Sequence, residues 1–250
     1  MFARPGQCAY TFAIVTEPAG QFKFTHQQMK DIKKFRLIIL PFRLVIGLTF
    51  FALIAGGFKR FFGQLPGQAF AVLFSVFLLA ERLFQAPDLG GERRDRGSVF
   101  LLWVCLGFSY ALGVVDYFWI RPHWTLLDYG WRWVAIGTGL FLAGLLLRCI
   151  AIRTLGRFFT ISVRLHDEHH LVKTGVYRII RHPAYTGLII LVLGLDTLFA
   201  SVLSYAAFAV FAIPSLIYRI RIEEGMLVEH FGDEYEEYRK KTKRLVPFLY

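Results

Sequence analysis

What most constrains this chain is the recurrence of apolar stretches at roughly 38–58, 65–84, 99–120 and 133–152. Each is close to the length of about 20 residues that crosses a hydrocarbon core of roughly 30 Å. A longer apolar region, 186–218, exceeds one crossing and is interrupted by Asp196, Thr197 and Ser201. It reads as a tight helical hairpin with arms at 186–200 and 202–218, the second bent by Pro214. Composition agrees: 56% hydrophobic and 19% charged residues lie outside the soluble range of about 45–50% apolar and about 25% charged. The expected fold is therefore all-α, a polytopic membrane bundle of about six transmembrane helices that ends in a helical hairpin, with a pocket on the cytoplasmic face.

Basic residues set the orientation. Lys and Arg number six before the first span, two at Lys59 and Arg60, four at 82–96, two at 121–132, seven at 148–181 and seven at 219–244. With 186–218 as a hairpin, every heavily basic segment falls on one side, which the positive-inside bias makes cytoplasmic, together with both termini. A multi-pass integral membrane protein follows, of an inner membrane in a bacterium or the endoplasmic reticulum in a eukaryote. The net charge of +11 thus reads as topology, and nucleic acid is not an expected partner, since the basic residues punctuate apolar spans and no base-reading module is visible.

Three regions result. Residues 1–36 form an N-terminal extension ending in the basic run 30–36, with no apolar core of a cleavable signal peptide. Residues 37–152 supply four spans without a motif. Residues 153–250 hold the polar density, in two cytoplasmic stretches at 153–185 and 219–244 on either side of the hairpin. A hairpin returns the chain to its starting side, so the two stretches meet at the membrane face whatever the rest of the bundle does. Cys8, Cys105 and Cys149 are too far apart for a disulfide framework or a cysteine zinc site.

In the first polar stretch, Pro183 pushes His182 out of the α region and suits the first turn of a helix. Arg181 and His182 then stand at a helix N-terminus, which favours a carboxylate; the plainer reading is a basic loop anchored to lipid headgroups. His166, His169 and His170 invite a metal, but the pattern is not HExxH and no third ligand is set by spacing, so no metal site is expected. In the second stretch, Arg219 and Glu223 are i,i+4 on a helix that continues through Leu227 and Phe231 and ends at Gly232. Paired carboxylates and arginines at a membrane boundary are costly unless they pair with each other or with a ligand. Arg43, Asp116, Arg148 and Asp196 are further ionisable residues in or near spans, and Arg148 is placed to face an anionic acceptor.

His169, Leu171, Val172, Gly175 and Tyr177, then Arg181, His182, Pro183, Tyr185 and Gly187, and beyond the hairpin Glu223, Glu224, Leu227, Phe231, Gly232, Tyr235 and Tyr238, occur in the order and spacing of a known family. The last hundred or so residues resemble the isoprenylcysteine carboxyl methyltransferases and the related membrane phospholipid methyltransferases. The resemblance implies an integral membrane enzyme that uses S-adenosylmethionine in a cytoplasmic pocket and takes a lipophilic, isoprenoid- or lipid-like acceptor from the bilayer. It assigns cofactor binding to His169, Leu171, Val172, Gly175, Tyr177, Arg181, His182, Pro183, Tyr185 and Glu224, with Glu223 or Glu224 for the amino group. Arg219, with Arg221 as substitute, would place an acceptor carboxylate, and Glu223 would serve as base for an amine acceptor. The family often has an asparagine at the hairpin turn, where this chain has Asp196, Thr197 and Ser201. Two other readings stand beside it: an NADPH-dependent reductase of the sterol reductase type, with a related architecture and an Arg-His motif, and a non-catalytic lipid-binding protein of the same fold. Oligomeric state is not set by the sequence.

Overall fold

The computed structural model describes residues 26–84, 97–120, 130–156 and 171–246. Among them the backbone is helical: α1 (His26–Ile54), α2 (Phe58–Phe62), α3 (Leu65–Phe84), α4 (Ser98–Val115, continued by a π-helical turn, Asp116–Ile120), α5 (Trp131–Leu155), α6 (Pro183–Leu198), α7 (Val202–Ala207), α8 (Ile213–Phe231) and α9 (Asp233–Lys241). Four stretches, Leu65–Leu83, Ser98–Ile120, Trp131–Leu155 and Val202–Phe231, are long and apolar enough to cross a membrane, and Leu40–Ile54 and Pro183–Leu198 are shorter apolar helices. The six apolar stretches of the sequence thus all appear as helix.

Their ends differ from expectation where local chemistry intervenes. The first stretch stops at Ile54 rather than 58, because Gly56 and Gly57 take φ of 91° and 122° and turn the chain into the short α2. Trp119 Nε1 donates to the Ile54 carbonyl at 2.6 Å, satisfying one acceptor that the helix end leaves open. Arg60 lies over the Trp119 ring at 4.5 Å and donates to the Phe118 carbonyl, closing this corner. In the hairpin, Ala200 takes φ 46° and Ser201 caps α7 by accepting from the Ser204 amide at 3.1 Å. Pro214 follows a π-helical turn at Phe208–Ala212, a wider winding that relieves the crowding of a proline ring on the carbonyl four residues before it. The second arm therefore runs on as helix to Phe231, and Gly232, at φ 53°, separates it from α9.

Polarity is inverted relative to a soluble protein. Phe42, Ile46, Phe100, Trp131, Leu146, Val202 and Val210 are exposed, while Glu81, Ser98, Asp116, Arg148, His182, Asp196, Arg219 and Glu224 are buried. Apolar side chains outward and polar groups inward is the arrangement a bilayer demands.

The closest packing joins α5 to α6. Gly137 faces Gly194 and Gly144 faces Gly187, with the same seven-residue interval on each helix, so the two run antiparallel and stay in register. A Cβ on Gly187 would stand 2.7 Å from both the Gly144 carbonyl oxygen and the Arg148 amide nitrogen. Only hydrogen at these positions lets the backbones approach so closely, and van der Waals contact of this kind replaces the hydrophobic effect as the adhesive inside a membrane. One helical turn beyond Gly144, Arg148 reaches Glu81 on α3 through Nε at 2.5 Å and Nη2 at 3.1 Å, and donates from Nη1 to the Ala184 carbonyl at 2.8 Å. This buried pair fixes the first turn of α6, where the polar motif begins.

Candidate active site

The site is built on the α6 N-terminus. His182 is its N-cap, with φ −123° and ψ 57°, and Pro183 occupies the first turn, as the sequence requires of a residue before proline. Upstream, Gly175 at φ 58° opens a 3-10 turn, Gly175–Arg178, that buries Tyr177 against Ala151, Ile152 and Ala184, with Val172 and Val176 packed alongside. Tyr238 on α9 donates its hydroxyl to the Tyr177 carbonyl at 2.6 Å. Burial pushes the Tyr177 phenol well up from its ordinary value, with Glu223 adding to the effect, and pushes Tyr238 up to about 12. Both phenols therefore remain neutral at any physiological pH.

On α8, Arg219, Glu223 and Glu224 face this N-terminus. Glu224 is 5% exposed and bound by three side chains: Arg181 Nε donates to Oε1 at 3.1 Å, His182 Nε2 lies 3.3 Å from the same oxygen, and Arg244 Nη2 donates to Oε2 at 2.6 Å. Glu223 differs. Its side chain is 30% exposed; Oε2 accepts from the Tyr185 hydroxyl at 2.7 Å, and Oε1 is 3.9 Å from His182 Nδ1. That hydroxyl also accepts from Arg219 Nε at 2.8 Å, and Arg219 Nη1 donates to Ser98 Oγ at 3.1 Å. Tyr185 thus links Arg219 to Glu223.

The structure brings together Arg181, His182, Pro183, Tyr185, Arg219, Glu223 and Glu224, and sets Gly175 and Tyr177 in the adjoining turn with Leu171 and Val172 just before it. His169 lies outside the described residues, as do His166 and His170, and among the described residues no group of three or more His, Cys, Asp or Glu could hold a metal ion. Arg221 is exposed and makes none of the cluster's contacts. Two residues past Arg219 turn it about 200° around the helix, so it does not substitute for Arg219. Arg148 does not face an acceptor either, since its guanidinium is engaged with Glu81 and Ala184. Sequence reasoning missed Ser98, Glu81, Thr242 and Arg244. Ser98 carries no signal of any kind, and Arg244 belongs to a basic run that reads as topology.

Comparison with known proteins follows the same lines. The model of the isoprenylcysteine carboxyl methyltransferase (ICMT) family matches residues 135–229, from α5 to the end of α8. Protein-S-isoprenylcysteine O-methyltransferase B of Arabidopsis thaliana is 34% identical over 194 residues, which cover 75% of this chain and 95% of that protein. The chain belongs to the isoprenylcysteine carboxyl methyltransferase family. It is a membrane methyltransferase, and the reductase and non-catalytic readings find no support among its relatives. The Saccharomyces cerevisiae protein-S-isoprenylcysteine O-methyltransferase is 36% identical over 116 residues, 46% of this chain and 48% of the yeast protein. The family's fold recurs in the solved structure of the eukaryotic intramembrane Ras methyltransferase ICMT, with a TM-score of 0.55 at 23% identity, covering 86% of this chain and 75% of that one. The Arabidopsis alignment is longer than the 98 residues of the motif-bearing region 153–250, so kinship with the family extends into the helices that carry no motif.

Proposed function

We propose that the protein transfers a methyl group from S-adenosylmethionine to the carboxylate of a lipophilic, isoprenylcysteine-like acceptor that enters from the bilayer, with the polar cluster on the cytoplasmic side. The observation that carries this reading is the junction of the α6 N-terminus with Glu223 and Arg219 through the Tyr185 hydroxyl.

The residues fit the cofactor by chemistry. The α6 N-terminus offers the positive end of its helix dipole to a carboxylate. Of the two glutamates, Glu224 has both oxygens engaged by Arg181, His182 and Arg244, so Glu223, half-buried and less occupied, is the partner for the amino group. Tyr177, Leu171 and Val172, with Gly175 shaping the turn beside them, supply the wall for the adenine ring; Arg181 and Pro183 hold the frame. When bound, S-adenosylmethionine supplies an electrophilic methyl on a sulfonium. Arg219 orients the acceptor carboxylate, a nucleophile that needs no general base, and the buried setting of His182 and Arg219 excludes water. Were the acceptor an amine, Glu223 would be the group to take its proton.

The test is binding of S-adenosylhomocysteine against NADPH to detergent-purified protein, by thermal shift and calorimetry, followed by transfer of labelled methyl to a farnesylated cysteine analogue. Selective stabilisation by S-adenosylhomocysteine and labelling of an ester are expected. Stabilisation by NADPH alone, or an N-methylated product in place of a methyl ester, would overturn the reading.

A further inference from the structure

Residues 239–244 carry the charge of a topology signal, yet the structure threads the chain from 242 to 245 into the polar cluster. Thr242 and Leu245 are buried, while Lys243 and Val246 face outward. Ile180 and Lys243 form a parallel bridge; the amides of Arg181 and His182 donate to the carbonyls of Lys243 (2.8 Å) and Arg244 (3.1 Å), and the Lys243 amide donates back to Ile179 at 3.3 Å. Thr186 Oγ1 donates to the Leu245 carbonyl at 2.7 Å, and Arg181 Nη1 donates to the carbonyls of Arg239 (3.1 Å) and Thr242. Both backbone amides that lead into the α6 N-terminus are thus held by this segment.

The side chains repeat the pattern. Glu224 Oε1 is shared by Arg181 and His182, and Oε2 is held by Arg244. Removing Arg244 leaves Oε2 of a buried carboxylate short of a charged donor, a costly state that rotation of the carboxylate toward Arg181 would relieve. That rotation withdraws Oε1 from His182, whose other ring nitrogen faces Glu223. A route therefore runs from Arg244 through hydrogen bonds to Glu224 and His182, and then across 3.9 Å from His182 Nδ1 to the Glu223 carboxylate assigned above to the cofactor's amino group.

We propose that residues 242–245 form a strap that completes the cofactor site, with Arg244 as a positioning residue that acts on His182 through Glu224. The proposal rests on the reading of this cluster as the S-adenosylmethionine site, and its consequence is specific. The strap sets cofactor affinity, since its contacts run to Ile179, Arg181, His182, Thr186 and Glu224.

The experiment is calorimetry of S-adenosylhomocysteine with the full chain, alongside steady-state kinetics, for wild type, Arg244→Ala and Arg244→Lys. Arg244→Ala should weaken S-adenosylhomocysteine binding and raise the KM for S-adenosylmethionine by about tenfold, with kcat and the acceptor KM changed by less than about threefold; Arg244→Lys should recover most of the affinity. Folded Arg244→Ala with wild-type affinity, or a loss confined to kcat, overturns the strap. Hydrogen exchange on the wild type serves if Arg244→Ala does not fold. S-adenosylhomocysteine should slow exchange at 179–182 and 242–245 together, and slowing at 171–178 with none at 242–245 overturns the proposal. Wild type that binds no S-adenosylhomocysteine removes the cofactor-site reading itself, and the strap with it.

Discussion

The two halves of the molecule contribute to the site by different means. In the region after residue 153, polar residues appear in recognisable order, and each finds its partner within the same region: Arg181, His182 and Arg244 on Glu224, and Tyr185 on Glu223. The helices before it carry no motif and reach the same place through single side chains. Ser98, at the first turn of α4, accepts from Arg219, and Glu81, near the end of α3, takes Arg148, which in turn holds the Ala184 carbonyl. A motif is visible because several residues must act together on a ligand. A lone buried serine or glutamate is bound to its partner no less firmly and leaves no pattern.

That contrast can be broken most forcefully at Glu81. Glu81→Ala strands Arg148 in a buried setting and should cost about 3–5 kcal/mol of stability, whereas Glu81→Leu with Arg148→Met should recover much of it, as measured by thermal unfolding in detergent. Equal stability of the two variants would mean that the pair does not join α3 to the site. Arg219→Ala comes next: turnover of a carboxylate acceptor should fall about 100-fold or more, with S-adenosylhomocysteine affinity nearly unchanged. Loss of cofactor affinity instead would move Arg219 to the other subsite. Glu223→Gln should weaken S-adenosylhomocysteine binding by about tenfold, the loss of one charged hydrogen-bond partner. In the motif-free half, Ser98→Ala should raise the acceptor KM about threefold, since a hydroxyl contact to a guanidinium is lost and Tyr185 still holds it. At the bottom of the scale lies Lys173→Ala. Its ion pair with Glu234, at 2.8 Å but with side chains 42% and 55% exposed, should contribute less than about 1 kcal/mol, within error of wild type in a thermal melt.

Much of the fold was legible in advance because membrane insertion is governed by quantities local to the chain: apolar length, proline and glycine placement, and the side on which lysine and arginine fall. Those fixed the six apolar stretches, the hairpin and the separation of α8 from α9 at Gly232. The roles of the two glutamates were not legible. Glu223 and Glu224 are adjacent and chemically identical, and only the arrival of Arg181, His182 and Arg244 on one of them distinguishes the pair. Tyr185 is a similar case: the resemblance gives it only to cofactor binding, while its hydroxyl turns out to link Arg219 to Glu223.

The sequence by itself determined that this is a helical membrane protein with a polar cluster at the foot of a hairpin, because hydropathy and turn chemistry act over a few residues and need no distant partner. Tertiary structure alone decided that α5 and α6 touch through Gly137, Gly144, Gly187 and Gly194, that Arg148 pairs with Glu81, and that residues 242–245 lie along 179–182. These are contacts between residues far apart in the chain, and their energy depends on distance and burial, which do not exist until the helices have packed.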